Sequence, residues 1–179
     1  MQNLPAASRR FNFFGKWKIL GASCPPRPAL QDVVWAWTGG AIAIAIVAYG
    51  SVLVHAPLVI GSFGASCVLI FGFPDSPFSQ PRNVIGGHFL ASLVGLVFLH
   101  FIGSEWWCMA LAAASGIAVM QLTRTVHPPA GSNPVIVMMS ASGWPFLLTP
   151  TLIGAILLVI VAIFFNNLRK GRSYPKYWY

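Results

Sequence analysis

Thr123-Arg124-Thr125-Val126-His127-Pro128-Pro129-Ala130-Gly131-Ser132-Asn133-Pro134 interrupts an otherwise apolar chain. Consecutive prolines remove backbone donors and hold the residue before each of them out of a helix. Gly131 permits a backbone turn that other residues resist. Ser132 and Asn133 suit an N-cap, and Pro134 suits a first helical position. The stretch therefore reads as extended chain that ends at a helix N-terminus facing into a bundle. Such an end presents free N–H groups and partial positive charge, which favour an anion. The residues that follow, to Ser142, are apolar. Backbone that is not helical at membrane depth survives only where protein buries it or where it lines a cavity.

Working outward, Val33 to Val54, Val84 to Ile102 and Trp144 to Phe165 each offer the roughly 20 apolar residues that a spanning helix needs. Trp106 to Leu122 is slightly short but opens on Trp106 and Trp107, as an interfacial belt does. A second defective segment, Pro57 to Phe73, carries Gly61, Ser62, Gly64, Ala65 and Ser66 in its first half. The predicted fold is all-α, a polytopic transmembrane helix bundle with four full spans and two short or broken membrane segments. Of 179 residues, 56% are hydrophobic and 8% charged. A soluble domain carries about 25% charged residues, so an ordinary soluble surface is excluded.

The formal net charge of +8 sits at the two ends. Residues 1–31 form a basic segment with Arg9, Arg10, Lys16, Lys18 and Arg27; residues 32–166 form the transmembrane domain; residues 167–179 form a tail with Arg169, Lys170, Arg172 and Lys176. Basic clusters flanking apolar segments read as cytoplasmic anchors near anionic lipid, and no nucleic-acid reading motif accompanies them. A short amphipathic element at the membrane surface, or a disordered tail, is expected around Phe11 to Leu20. Cys24, Cys67 and Cys108 are far apart, which supports neither disulfides nor a metal site; Cys67 and Cys108 read as small packing residues. No cofactor is implied.

Both termini are expected on the cytoplasmic side, which calls for an even number of crossings. Four result if both defective segments re-enter, and six if both cross. Gly103-Ser104-Glu105 is a tight connection, so Arg82 and Arg124 share a side. Six crossings put both arginines inside and Glu105 outside, and six are preferred. The order span, defective segment, span then occurs once from Val33 to Ile102 and again from Trp106 to Phe165. His55-Ala56-Pro57 in the first half answers His127-Pro128-Pro129 in the second. An inverted 3+3 repeat with interrupted segments at matching places points to a transport site. Gly87, Ala91 and Gly95 form a small-residue stripe that reads as packing, within one chain or between chains of a homo-oligomer.

The candidate site follows from these breaks. Ser62, Gly64 and Ser66 on one side and His127, Pro128, Pro129, Gly131, Ser132 and Asn133 on the other would hold a small anion. Arg82, Asn83 and Arg124 would gather it, and His127 or His88 would supply a switchable donor. Blander roles stand beside these: Arg82 and Arg124 as positive-inside anchors, Asp75 as a turn cap or ion-pair partner, His55 and His100 as interfacial residues, and His88 as a buried, hydrogen-bonded histidine. His127 stands apart because ionisable groups inside membranes are functional candidates. Catalysis is not expected: the acids Asp32, Asp75 and Glu105 all lie near segment ends, and neither HExxH nor GxSxG occurs.

Three motifs in order carry a resemblance. They are Gly61-Ser62-Phe63-Gly64-Ala65-Ser66, then Pro74-Asp75-Ser76-Pro77 with Gln80-Pro81-Arg82-Asn83-Val84-Ile85-Gly86-Gly87-His88, then His127-Pro128-Pro129-Ala130-Gly131-Ser132-Asn133-Pro134. Over roughly residues 30 to 165 the chain resembles the HPP family of small integral membrane proteins, usually described with four transmembrane helices. Some members add nucleotide-binding CBS modules; none is found up to Tyr179, so nucleotide regulation is not expected. Cyanobacterial and plastid members are associated with nitrite movement. The resemblance implies a nitrite transporter or channel, in a bacterial or cyanobacterial inner membrane rather than a plastid envelope. The competing expectation is a membrane scaffold that transports nothing.

Overall fold

The computed structural model describes residues 23–178. The surface element expected over Phe11 to Leu20 lies outside the described residues, as do Arg9, Arg10, Lys16 and Lys18. Among the described residues the regular structure is entirely helical. The α-helices are α1 (Leu30–Val54), α2 (Ser62–Cys67), α3 (Pro81–Phe101), α4 (Trp106–Leu122), α5 (Asn133–Met139) and α6 (Ile153–Asn167).

Three stretches are long and apolar enough to cross a membrane: Leu30–Val54, Pro81–Phe101 and Trp144–Asn167. The fourth span expected from sequence is α4, which has 17 residues and is shorter than these. Trp144–Asn167 is not one straight helix. Thr149 adopts φ −125° and ψ 121° between a 3-10 turn at Trp144–Leu147 and α6. Pro150 is the cause, because its ring disfavours helical backbone in the residue before it.

Both defective segments run most of the length of the bundle, part extended and part helical. Leu58 lies beside Gly50, Cys67 beside Gly40 and Phe71 beside Gly39, so α2 and the π turn after it (Val68–Gly72) run antiparallel to α1. In the other half, Thr125 and His127 lie beside Gly87 and Pro134 beside Gly95. Met138 then packs with Leu99 and Cys108. That segment runs parallel to α3. Asp32, in the first turn of α1, pairs with Arg169 and Arg172 beyond α6, so the two ends of the apolar body lie together.

The second break differs from expectation in one respect. Helical turn begins at Pro128, as a 3-10 segment through Ser132 that runs directly into α5. The Ser132 hydroxyl donates to the Pro129 carbonyl instead of capping, and the Ala130 amide bonds the His127 carbonyl. At the first break the amides of Phe63 and Gly64 bond the carbonyls of Ile60 and Gly61. These amides are engaged by local turns, and it is side chains that the breaks bring to the interior.

Apolar packing divides into two parts, one a single large group and the other two small groups side by side. Ala43 and Val47 of α1 meet Phe63, Ile70 and Phe71 around α2, and Leu158 and Ala162 of α6. Ala91, Met120 and Ala130 form a second group, and Cys108, Ala112 and Met138 a third beside it, all drawn from α3, α4 and the 128–139 segment. Helix α3 lies on the seam, giving Val84 to the first group and Ala91 to the second. Against lipid, exclusion from water contributes little and close packing holds helices together. Glycines set that closeness. A Cβ on Gly154 would lie 2.6 Å from the Leu58 carbonyl oxygen and nearer still to the Phe63 ring. Gly154→Ala is expected to destabilise the protein by about 1–3 kcal/mol, read as a lower midpoint of thermal denaturation in detergent; an unchanged midpoint would show that the α2–α6 contact is looser than this.

The Gly87/Ala91/Gly95 stripe packs within the chain. A Cβ on Gly95 would sit 2.7 Å from the Pro134 Cα, and one on Gly116 of α4 would sit 3.2 Å from the Pro134 ring. The small residues thus make room for the proline-rich segment between α3 and α4.

Candidate functional site

Helix α3 buries Val84, Gly87, His88, Ala91, Ser92, Gly95 and Leu96. That i, i+3, i+4, i+7 spacing is one face of a helix, and it turns His88 and Ser92 inward together. In α2, Ser62 and Ser66 repeat at i and i+4 and both are buried. The 125–127 strand is laid on α3 by Asn83, whose amide donates to the Val126 carbonyl at 2.8 Å. Arg124 starts that strand. It sits at φ 58°, and the Thr125 amide bonds the Met120 carbonyl, a left-handed ending for α4.

At mid-bundle six polar side chains meet in one line. Ser66 Oγ lies 2.8 Å from His88 Nε2 and 2.8 Å from His127 Nε2. His127 Nδ1 lies 2.7 Å from the Phe78 carbonyl oxygen. Asn133 Nδ2 lies 3.0 Å from His88 Nδ1 and 2.9 Å from Ser92 Oγ. Ser92 Oγ continues to Thr151 Oγ1 at 3.2 Å. His88, His127, Ser66, Asn133, Ser92 and Thr151 are wholly buried.

Counting donors assigns every hydrogen in the neutral line. A carbonyl only accepts, so His127 Nδ1 carries the proton and donates to Phe78. His127 Nε2 is then bare, and the Ser66 hydroxyl donates to it at 2.8 Å in preference to the Ser62 carbonyl at 3.1 Å. Having spent its one hydrogen, Ser66 accepts from His88 Nε2–H. His88 Nδ1 is left bare and accepts from the Asn133 amide. Donors therefore all point one way, from Asn133 through His88, Ser66 and His127 to the Phe78 carbonyl. Among the five buried side-chain atoms without a hydrogen-bond partner in the described residues, two belong to this region, Ser62 Oγ and Asn133 Oδ1.

The charged groups lie elsewhere. Arg82 donates to the Thr123 carbonyl at 2.9 Å, which sets it at the same end of the bundle as Arg124. Asp75 pairs with Lys176 at 3.0 Å, and Glu105 is exposed before α4. His55 is exposed and ends α1 in left-handed backbone, and His100 bonds the Leu96 carbonyl and packs on Trp144. Of the remaining candidates, Pro129 is buried, while Pro128, Ser132 and Gly64 are exposed and Gly131 is half-buried. Gly64 lines an apolar groove against Ala36 and Gly40 of α1. The structure thus brings together Ser62, Ser66, His88, His127 and Asn133; Asn83 and Pro129 are buried outside the line, and the rest are exposed or half-buried.

Sequence reading missed Thr151, the one hydroxyl that joins the line from the α6 side, and the role of the tail. Tyr174 is buried, its hydroxyl donates to the Ser79 carbonyl at 2.8 Å, and the Lys176 amide donates to Gln80 Oε1 at 2.8 Å. The tail thereby braces the loop whose Phe78 carbonyl ends the polar line. Burial pushes the Tyr174 phenol above its ordinary range, so it stays protonated and donating. Tyr174→Phe is expected to cost about 1 kcal/mol, seen as a modest drop in detergent thermal stability; a neutral result would mean that packing alone seats the tail.

The profile described as the HPP transmembrane region matches residues 25–175, which include every element above. The chain belongs to the HPP family. A transmembrane protein of Dictyostelium discoideum is 38% identical over 180 residues, covering 93% of this chain and 63% of that protein. A second transmembrane protein of the same organism is 35% identical over 181 residues, covering 93% of this chain and 57% of the relative. This HPP chain spans about three fifths of the length of the curated relatives it matches. No solved structure matches it. Family membership and apolar helices together make it an integral membrane protein.

Proposed function

We propose that this HPP protein moves a small monovalent anion, nitrite, across its membrane along the seam between the two parts of its packing. The observation that carries the reading is the polar line of Ser66, His88, His127 and Asn133 beside the unpartnered Ser62 hydroxyl. Polar groups in the middle of a membrane bundle are costly and mark substrate paths by default. An orphaned buried hydroxyl costs about 1–3 kcal/mol, and the oxygen of an anion is the acceptor it lacks. Asp32, Asp75 and Glu105 all stand away from the line, so no fixed negative charge opposes an anion there.

In this reading the chain crosses the bilayer six times with both termini cytoplasmic. Its two interrupted segments are the matching members of an inverted repeat, and they run in opposite senses through the bundle. Movement of one part against the other around a fixed midplane site is how such repeats open alternately to each side. Arg82 and Arg124 stand at the bundle end that carries the termini and draw the anion toward it. Nitrite is named from the family resemblance, and the unpartnered Ser62 hydroxyl is a donor that its oxygen can take.

Purified protein in liposomes is expected to pass nitrite well above protein-free vesicles, with nitrate, formate and chloride as comparisons. Flux equal to protein-free vesicles for all four anions would refute transport and favour a scaffold, whose polar line serves only to hold helices together.

A further inference from the structure

The line that binds in that reading has a second property, and the inference rests on that reading for the anion and its passage but not for the proton site. We propose that Ser66, His88 and His127 form a site for one proton, and that one proton travels with each anion.

The argument is one of hydrogen-bond capacity. In the neutral line Ser66 donates to His127 Nε2 and accepts from His88 Nε2–H. A proton added at His127 Nε2 makes that nitrogen a donor as well. Ser66 then has two donors aimed at its oxygen, and a hydroxyl oxygen accepts two. Its own hydrogen needs a new acceptor, and the Ser62 carbonyl is already 3.1 Å away. Rotation of one hydroxyl therefore converts the neutral line into a protonated one with every bond made. A second proton has no such place. It would have to enter at His88 Nδ1, which faces an Asn133 N–H. Turning that amide over would set Asn133 Oδ1 against the His88 carbonyl oxygen and take from Ser92 the hydrogen it accepts. The capacity of the line is one.

The added charge has no counter-ion in the protein. Around the line, α2 offers only Cys67, a neutral thiol, and α3, besides His88 itself, offers Arg82, engaged with Thr123 at one bundle end, and His100, bonded to the Leu96 carbonyl in the last turn of the helix. The 73–80 loop offers Asp75, exposed and paired with Lys176, and the tail offers Tyr174, one carbonyl beyond Phe78. The 128–139 segment and the turn before α6 present no ionisable side chain, and α4 presents only the Cys108 thiol. A lone imidazolium in an apolar bundle is costly, and an anion beside it removes most of that cost. By linkage each then raises the affinity for the other by the same factor, so proton and monovalent anion enter together and move as a neutral pair.

Two measurements test this. In proteoliposomes loaded with a pH-sensitive dye, nitrite entry is expected to bring one proton per nitrite above the protein-free rate, and a potassium diffusion potential is expected to leave that rate unchanged. Ser66→Ala removes the bridge and is expected to lower nitrite-coupled proton entry by about ten- to a hundredfold, the equivalent of one charge-assisted hydrogen bond. Ser66→Thr keeps the hydroxyl and is expected to keep the coupling. Protein-mediated nitrite entry without protons overturns the inference and leaves transport standing. The second measurement needs no nitrite and no mutant. Nitrogen NMR of 15N-histidine-labelled protein in nanodiscs at neutral pH is expected to find His127 protonated at Nδ1 and His88 at Nε2, with acid adding one proton to the pair. Those tautomers in a protein that passes no nitrite would sustain the proton site and sink the transport reading. Independent charging of both rings, or His88 protonated at Nδ1, would overturn the proton site.

Discussion

His127→Ala is expected to cut nitrite flux in proteoliposomes by about a hundredfold or more, because it removes the side chain that ties the polar line to the Phe78 carbonyl. Ser66 loses its partner across the line and can turn only to the Ser62 carbonyl, and the Phe78 carbonyl loses its donor. Each buried group left unpaired costs about 1–3 kcal/mol, and roughly 1.4 kcal/mol is a factor of ten. A hole remains where a wholly buried ring stood. The arginine variants are expected to behave differently. Arg82 and Arg124 lie at the bundle end, away from the line, so Arg82→Gln and Arg124→Gln should slow flux severalfold at low salt and little at high salt, as expected of steering charges. Wild-type flux in His127→Ala, or an equal and salt-independent loss in Arg124→Gln, would remove His127 from the site. Monodisperse elution of each variant in detergent separates lost transport from lost folding.

Much of this arrangement is legible in the residues and part of it is not. The helical face of α3 announces itself, since Gly87, His88, Ala91, Ser92 and Gly95 recur at helical spacing. The two breaks are written in Pro57, Gly61, Pro128, Pro129 and Gly131, and the histidine before the double proline is conspicuous. What spacing cannot supply is which groups pair across the fold. Ser66 and His127 are 61 positions apart, and no local periodicity links them. Electrostatic reasoning drew attention to helix ends and arginines, whereas the helices at the breaks are short and their first amides are satisfied by the turns that precede them. Thr151 was hidden because one hydroxyl in a long apolar run carries no signal until Pro150 breaks the helix before it. The tail reads as basic and therefore as lipid-facing, yet Arg169 and Arg172 turn to Asp32, and Tyr174 turns inward. Alternatives inside the protein outcompete lipid for those groups.

Gly87→Ala is the variant that joins packing to function, and it is expected to abolish flux without deleting any polar group. A Cβ at residue 87 would stand 2.8 Å from His127 Cβ and 2.8 Å from the Thr125 carbonyl oxygen. Neither neighbour is the free end of a flexible side chain, so the 125–127 strand must move off α3 by several tenths of an ångström. The bond from Asn83 to the Val126 carbonyl resists that motion on one side and the prolines resist it on the other. His127 Nε2 starts 2.8 Å from Ser66 Oγ, and hydrogen bonds weaken steeply once distance and angle leave a narrow range. Overpacking of this kind costs about 1–3 kcal/mol, which lowers the thermal midpoint but leaves a folded bundle, while the proton line is cut. Gly131→Ala is the matched control: a Cβ there meets nothing within 4 Å, so stability and flux should both stay at wild-type levels. A Gly87→Ala protein that still moves nitrite normally would mean that transport does not pass through the contact between α3 and the His127 strand, and the site would have to be sought away from the seam.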